Sequence, residues 1–138
     1  MPIIQPVLMG SQARRILIVD DEPTLLKMMA VYLGRLGYSV ATANTTEKAW
    51  AVVEAAPQEF DIAVLDATMQ GIGLEALALK MLDVSKTLRI LTASGYPMDL
   101  SALAEQAPGR IEFLQKPFTP ERLAATVRRM LGEEKEDL

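Results

Sequence analysis

Five side chains carry most of the chemistry this sequence offers. Asp20 and Asp21 follow the apolar run Ile16-Leu-Ile-Val19, Asp66 ends Ile62-Ala-Val-Leu65, Thr92 follows Leu88-Arg-Ile-Leu91, and Lys116 follows Ile111-Glu-Phe-Leu-Gln115. Taken singly, an Asp after such a run is ordinarily a helix cap, and Asp21 before Glu22-Pro23 suits that role. Taken together they suggest something else. Carboxylates gathered at one place repel one another and raise each other's pKa unless a cation neutralises them. An all-oxygen donor set suits Mg2+, which takes one or two carboxylates, a carbonyl, waters and phosphate oxygens. The Lys116 ammonium and the Thr92 hydroxyl add the donors needed to hold a phosphoryl group.

Composition narrows the alternatives. The 138 residues contain no Cys and no His. Thiolate nucleophiles, disulfides, Cys or His metal sites and Ser–His–Asp triads are therefore excluded within the chain. A net charge of −4 disfavours direct nucleic-acid binding, which calls for a basic patch. No apolar run reaches the roughly 18–20 residues of a membrane helix, and Gln5-Pro6 breaks any signal-peptide pattern near the N-terminus. The expectation is a cytoplasmic protein that makes no membrane contact.

The elements that must position these groups alternate regularly. Short apolar runs over 15–19, 38–43, 60–65, 88–91 and 110–114 read as strands, the first and third continuous enough to be buried on both faces. Between and after them, 22–36, 46–56, 73–82, 99–107 and 120–131 read as helices. In the first helix Leu25, Met28, Met29, Tyr32, Leu33 and Leu36 form one apolar stripe. Pro23 suits its start and Gly37 its stop. Such βα alternation predicts a doubly wound five-stranded parallel sheet with helices on both faces and the working site at the carboxyl ends of the strands. That rim is where the five side chains fall.

The stretches Ile16-Leu-Ile-Val-Asp-Asp-Glu-Pro23, Asp61-Ile-Ala-Val-Leu-Asp66, Leu91-Thr-Ala93 and Phe113-Leu-Gln-Lys-Pro-Phe118 resemble the receiver domain of two-component response regulators over about residues 14–131. The resemblance implies a flavodoxin-like (βα)5 fold with strand order 2-1-3-4-5. It also implies that Asp66 is the phosphoacceptor, taking a phosphoryl group from a partner phosphohistidine. Asp21, Asp66 and the Thr68 backbone carbonyl would bind Mg2+, with Asp20 assisting. Lys116 and Thr92 would contact the phosphoryl oxygens, and Lys116–Pro117 would be cis. Thr92 and Phe113 would form a switch that alters the surface around the fifth strand for an unknown downstream protein. The partner would be a histidine kinase or a histidine phosphotransfer protein. Such a receiver is not an enzyme acting on outside substrates; it promotes only its own phosphorylation and dephosphorylation. An Asp-dependent phosphatase is disfavoured because Thr68 stands where such enzymes carry a second Asp.

The sequence departs from the family pattern after Asp66. Met69-Gln70-Gly71-Ile72-Gly73-Leu74 lacks the usual Pro and is one residue short. Gln70 and two glycines are expected to loosen the loop. The altered loop leaves an alternative open: a pseudo-receiver that is never phosphorylated and serves as a protein-interaction module. Phe113 replaces a commoner Tyr, so any switching must proceed by packing alone. Residues 1–13 read as an extension and 132–138 as an acidic, solvated tail. With no output domain in view, the expectation is a stand-alone receiver or one excised from a hybrid histidine kinase. Leu26 and Ala30 lie outside the apolar stripe, one turn apart near the rim, and are expected to face water and receive the kinase.

Overall fold

A computed structural model describes residues 13–133. Its strands are β1 (Arg15–Val19), β2 (Ser39–Ala43), β3 (Ile62–Asp66), β4 (Arg89–Ser94) and β5 (Ile111–Gln115). They alternate with helices α1 (Pro23–Arg35), α2 (Thr46–Ala55), α3 (Leu74–Val84), α4 (Ser101–Gln106) and α5 (Pro120–Met130). All strand pairs are parallel and the order is β2-β1-β3-β4-β5, as the alternation and the resemblance imply.

The two-residue period of a strand explains why the apolar runs are unbroken. Ile16 and Ile18 of β1 turn to one face, where Met29 and Leu33 of α1 and Leu123 and Val127 of α5 cover them. Leu17 and Val19 turn to the other, against Ala49 and Val53 of α2 and Leu77 and Met81 of α3. With a helix layer on each side, every second residue of a central strand still meets apolar neighbours. The sheet is therefore a rigid base, and the groups just past its strand ends inherit that rigidity.

Several boundaries differ from the sequence reading. Helix α1 is capped by Glu22, whose side chain accepts the Leu25 N–H at 2.7 Å, so Asp21 is not the cap. It ends at Arg35, and Leu36 is 45% exposed rather than part of the core. The helical spacing carries one residue past the helix end: Leu36 is the C-cap, followed by the turn at Gly37, whose φ of +104° leads the chain into β2. Strand β4 continues to Ser94, which places Thr92 inside the strand instead of after it. Glu133, assigned to a solvated tail, is tied to the domain by Arg14 at 3.2 Å and by the Tyr38 hydroxyl at 2.9 Å. Residues 1–12 and 134–138 lie outside the described residues.

Candidate functional site

Register brings the carboxylates together. Val19 of β1 pairs with Leu65 of β3, so the next residues, Asp20 and Asp66, leave adjacent strands at the same level. Lys116 follows the end of β5, held there by its backbone N–H on the Ser94 carbonyl at 2.8 Å. One carboxylate oxygen from each of Asp20, Asp21 and Asp66 lies within 4.8 Å of the others. Asp20 and Asp66 are buried, whereas Asp21 opens to solvent. The Lys116 Nζ stands 3.2 Å from Asp20 Oδ2 and 3.3 Å from Asp66 Oδ1.

The electrostatics follow from that crowding. Burial pushes the Asp20 carboxyl above the usual carboxylate range; the Glu22 N–H on its Oδ1 at 2.9 Å pulls it back, and the Asp66 charge raises it again. Burial alone would lower the Lys116 pKa, but the Asp20 and Asp66 carboxylates outweigh it, so the ammonium is held above its ordinary value. One lysine charge facing three carboxylates leaves a negative excess. An oxygen-only cluster with such an excess fits a hard divalent cation and offers nothing to a soft metal.

Around this cluster the expected residues fall unequally. Thr68 points its side chain at Asp66: both its N–H and its hydroxyl donate to Asp66 Oδ1, at 3.3 and 3.2 Å. The sequence reading names only its carbonyl; the available signal for the side chain was a hydroxyl two residues after Asp66. Thr92 is fully buried, and its hydroxyl donates to the Glu112 carbonyl of β5 at 3.0 Å, not to the carboxylates. Its partner across the β4–β5 register is the half-buried Phe113. The Lys116–Pro117 peptide is cis.

Two expectations about the surface and the loop need correction. Leu26 and Ala30 do not face water freely; they are half-buried and pack on the core beneath α1. The same packing places them, with Asp21, Pro23, Lys27, Thr42 and Asn44, along a surface groove that reaches Asp21. Nor is the loop after Asp66 loosened by its glycines, because Thr46 of α2 bonds to it at two points, the Gln70 carbonyl and the Ile72 N–H. From the sequence, Thr46 is simply the first residue of the 46–56 helix, where a threonine suits a cap. That role belongs to Thr45, whose Oγ1 accepts the Lys48 N–H.

Comparison with known proteins agrees with this geometry. The response regulator receiver domain profile matches residues 16–128. The chain is 35% identical over 123 residues to the nitrogen assimilation regulatory protein NtrX of Azorhizobium caulinodans, a match covering 86% of this chain and 26% of NtrX. It thus spans about a quarter of that relative. A CheY-like receiver domain protein from Methanospirillum hungatei superposes with a TM-score of 0.77 over 88% of this chain and 96% of that one, at 24% identity. TrrA from Thermotoga maritima, solved in complex with Mg(2+)-BeF, superposes with a TM-score of 0.71 at 28% identity, covering 85% of this chain and 98% of that one. Among the described residues, no helix is long and apolar enough to cross a membrane.

Proposed function

The chain belongs to the response regulator receiver domain family, and from that premise we propose that Asp66 accepts a phosphoryl group from a phosphohistidine of a kinase or histidine phosphotransfer protein. The observation that carries the reading is the setting of Asp66: a buried carboxylate at a strand end, 3.3 Å from Lys116 and grouped with Asp20 and Asp21. In the step, an Asp66 oxygen attacks phosphorus, the P–O bond forms as the P–N bond breaks, and the imidazole nitrogen leaves with the electron pair. Lys116 then follows the charge from carboxylate to phosphoryl oxygen. Asp21, Asp66 and the Thr68 carbonyl would hold Mg2+, which supplies positive charge against the phosphoryl oxygens when bound. Both Asp20 oxygens already accept hydrogen bonds, from Glu22 N–H and from Lys116, which suits an assisting role.

Phosphorylation changes what Thr92 can reach. Its hydroxyl exchanges the Glu112 carbonyl for a phosphoryl oxygen, and Phe113, its register partner, repacks against the altered strand. A downstream protein reads the resulting β5 surface. The protein works in the cytoplasm, makes no direct contact with nucleic acid, and turns over no outside substrate.

Incubation with acetyl phosphate and Mg2+, followed by intact-mass measurement, tests the reading. One base-labile phosphoryl adduct is expected on the wild type and none on Asp66→Ala. An unmodified wild type would instead support a binding module whose site is never phosphorylated. An adduct surviving Asp66→Ala would place the acceptor elsewhere.

A further inference from the structure

The segment between β3 and α3 carries Thr68, then Gln70-Gly71-Ile72-Gly73, a run with little to stiffen its own backbone. The stiffness comes from α2. Thr46, the first residue of that helix, is 3% exposed. Its Oγ1 accepts the Ile72 N–H at 2.9 Å, and its single proton faces the Gln70 carbonyl at 3.2 Å, with Glu47 Oε1 a second acceptor at 3.3 Å. A hydroxyl at a helix start ordinarily serves the helix's own orphan N–H groups. Here Thr45 does so, bonding the Lys48 N–H at 3.0 Å, which frees Thr46 for the neighbouring loop.

Gly71, between the two bonded residues, makes the approach possible. Its φ is +95°, and a Cβ there would lie 2.6 Å from both Thr46 Oγ1 and Glu47 Oε2. A side chain at position 71 would force the first turn of α2 and the loop apart. The glycine that reads as a loosening element is the residue that lets the loop be clasped.

We propose that Thr46 is a positioning residue for the Asp66 site: its two hydrogen bonds fix the loop that carries Thr68. This rests on the reading of Asp66 and Thr68 as part of a Mg2+ and phosphoryl site. Thr68 lies two residues from Gln70, so the clasp limits where both its Asp66 hydrogen bonds and its carbonyl can go. A loop already ordered loses less conformational freedom when a cation binds. Thr46 thus acts through the loop and touches neither cation nor phosphoryl group.

Two variants of the whole chain separate the hydroxyl from the shape. Thr46→Val keeps the branch and removes the hydrogen bonds; Thr46→Ser keeps them. The measurements are amide exchange at Ile72, affinity for Mg2+ alone by calorimetry, and labelling by acetyl phosphate across Mg2+ concentrations. Thr46→Val should exchange the Ile72 amide faster and bind Mg2+ about five- to tenfold more weakly, the equivalent of one ordinary hydrogen bond. Its labelling should be slow at low Mg2+ and recover at saturation, while Thr46→Ser matches wild type throughout. Gly71→Ala, which keeps the Thr46 hydroxyl in the chain but drives it off the loop, should weaken Mg2+ in the same way. Unchanged Ile72 exchange in Thr46→Val overturns the clasp, and faster exchange with unchanged Mg2+ affinity reduces it to a structural contact. A wild type that never takes a phosphoryl group would defeat the proposed function, whereas the amide and Mg2+ measurements would still decide the role of Thr46.

Discussion

Replacing Lys116 by Met tests the electrostatic account of the site most directly. The Lys116 side chain is 23% exposed, and the side chains it faces are nearly dry, 3% for Asp20 and 4% for Asp66. Removing one member of a buried ion pair leaves uncompensated charge and costs about 3–5 kcal/mol. Partial solvent access to the lysine reduces this to about 2–3 kcal/mol. At about 4 °C per kcal/mol for a domain of this size, the Tm should fall by about 10 °C at pH 7 without added metal.

The same pair predicts the pH dependence of that loss. The folded Asp20 pKa lies above its ordinary 3.8, so the stability this group contributes is complete below that value and declines as pH rises through the raised one. Taking away Lys116 removes a charge that held the carboxyl down, so the decline deepens toward neutrality. The Lys116 pKa is also raised, so its own contribution is complete below 10.5 and lost as pH climbs through the folded value. The gap between wild type and Lys116→Met should therefore be widest near neutral pH and shrink toward the ordinary carboxylate pKa. Millimolar Mg2+ should recover more of the Tm in the variant than it adds to the wild type, because it replaces the missing positive charge. Thermal unfolding followed by circular dichroism at pH 7 and at acidic pH, with and without Mg2+, reads all three effects. A pH-independent gap, or equal gains from Mg2+, would refute the reasoning.

Three further outcomes follow from the same geometry. Mg2+ at ten times its Kd should stabilise the wild type by about 1.4 kcal/mol, and Asp21→Ala should lose most of that gain; an identical melting curve with and without Mg2+ in the wild type would count against the site. Thr92→Val leaves the part-buried Glu112 carbonyl without its hydroxyl partner and should cost about 1 kcal/mol in urea unfolding. It should also suppress the Phe113 chemical-shift response to phosphorylation, and an unchanged response would disconnect Thr92 from the switch. Leu26→Asp puts a charge in the groove beside Asp21 and should slow transfer from the cognate kinase by about tenfold, as loss of one apolar anchor would, while labelling by acetyl phosphate proceeds normally. Wild-type transfer rates in that variant would remove the groove from the docking surface.

What the sequence showed of this molecule depended on whether the signal was local. Strands with both faces covered must be apolar throughout, and the polar residue that ends such a run stands out; Asp20 and Asp66 were legible for that reason. Lys116 instead follows the half-buried edge strand β5, with its Glu112 and Gln115, and was legible from its place at a strand end. Their convergence was legible too, because parallel strands put all carboxyl ends on one rim. Thr92 shows the limit of this reasoning. Thr92 is itself polar, so the pattern ends the strand at Leu91 although it runs on to Ser94, and the hydroxyl's partner, Glu112, lies twenty residues away. Leu36 fails for the opposite reason: helical spacing extends past the point where the backbone turns, and only the turn decides exposure.

The loop after Asp66 is the instructive case, because local chemistry there pointed in the wrong direction. Gly71 has freedom in isolation, and nothing between 67 and 73 contradicts a slack loop. The constraint comes from Thr46, twenty-four residues from Gln70, and it exists only because Thr45 has taken over the capping of α2. Neither threonine is unusual at a helix start, and neither bond can be inferred until the loop is seen against the helix. A glycine read from sequence therefore reports only that a side chain is absent. Whether its absence gives the chain freedom or lets another element close upon it is settled by what stands opposite, and at Gly71 that is Thr46 and Glu47.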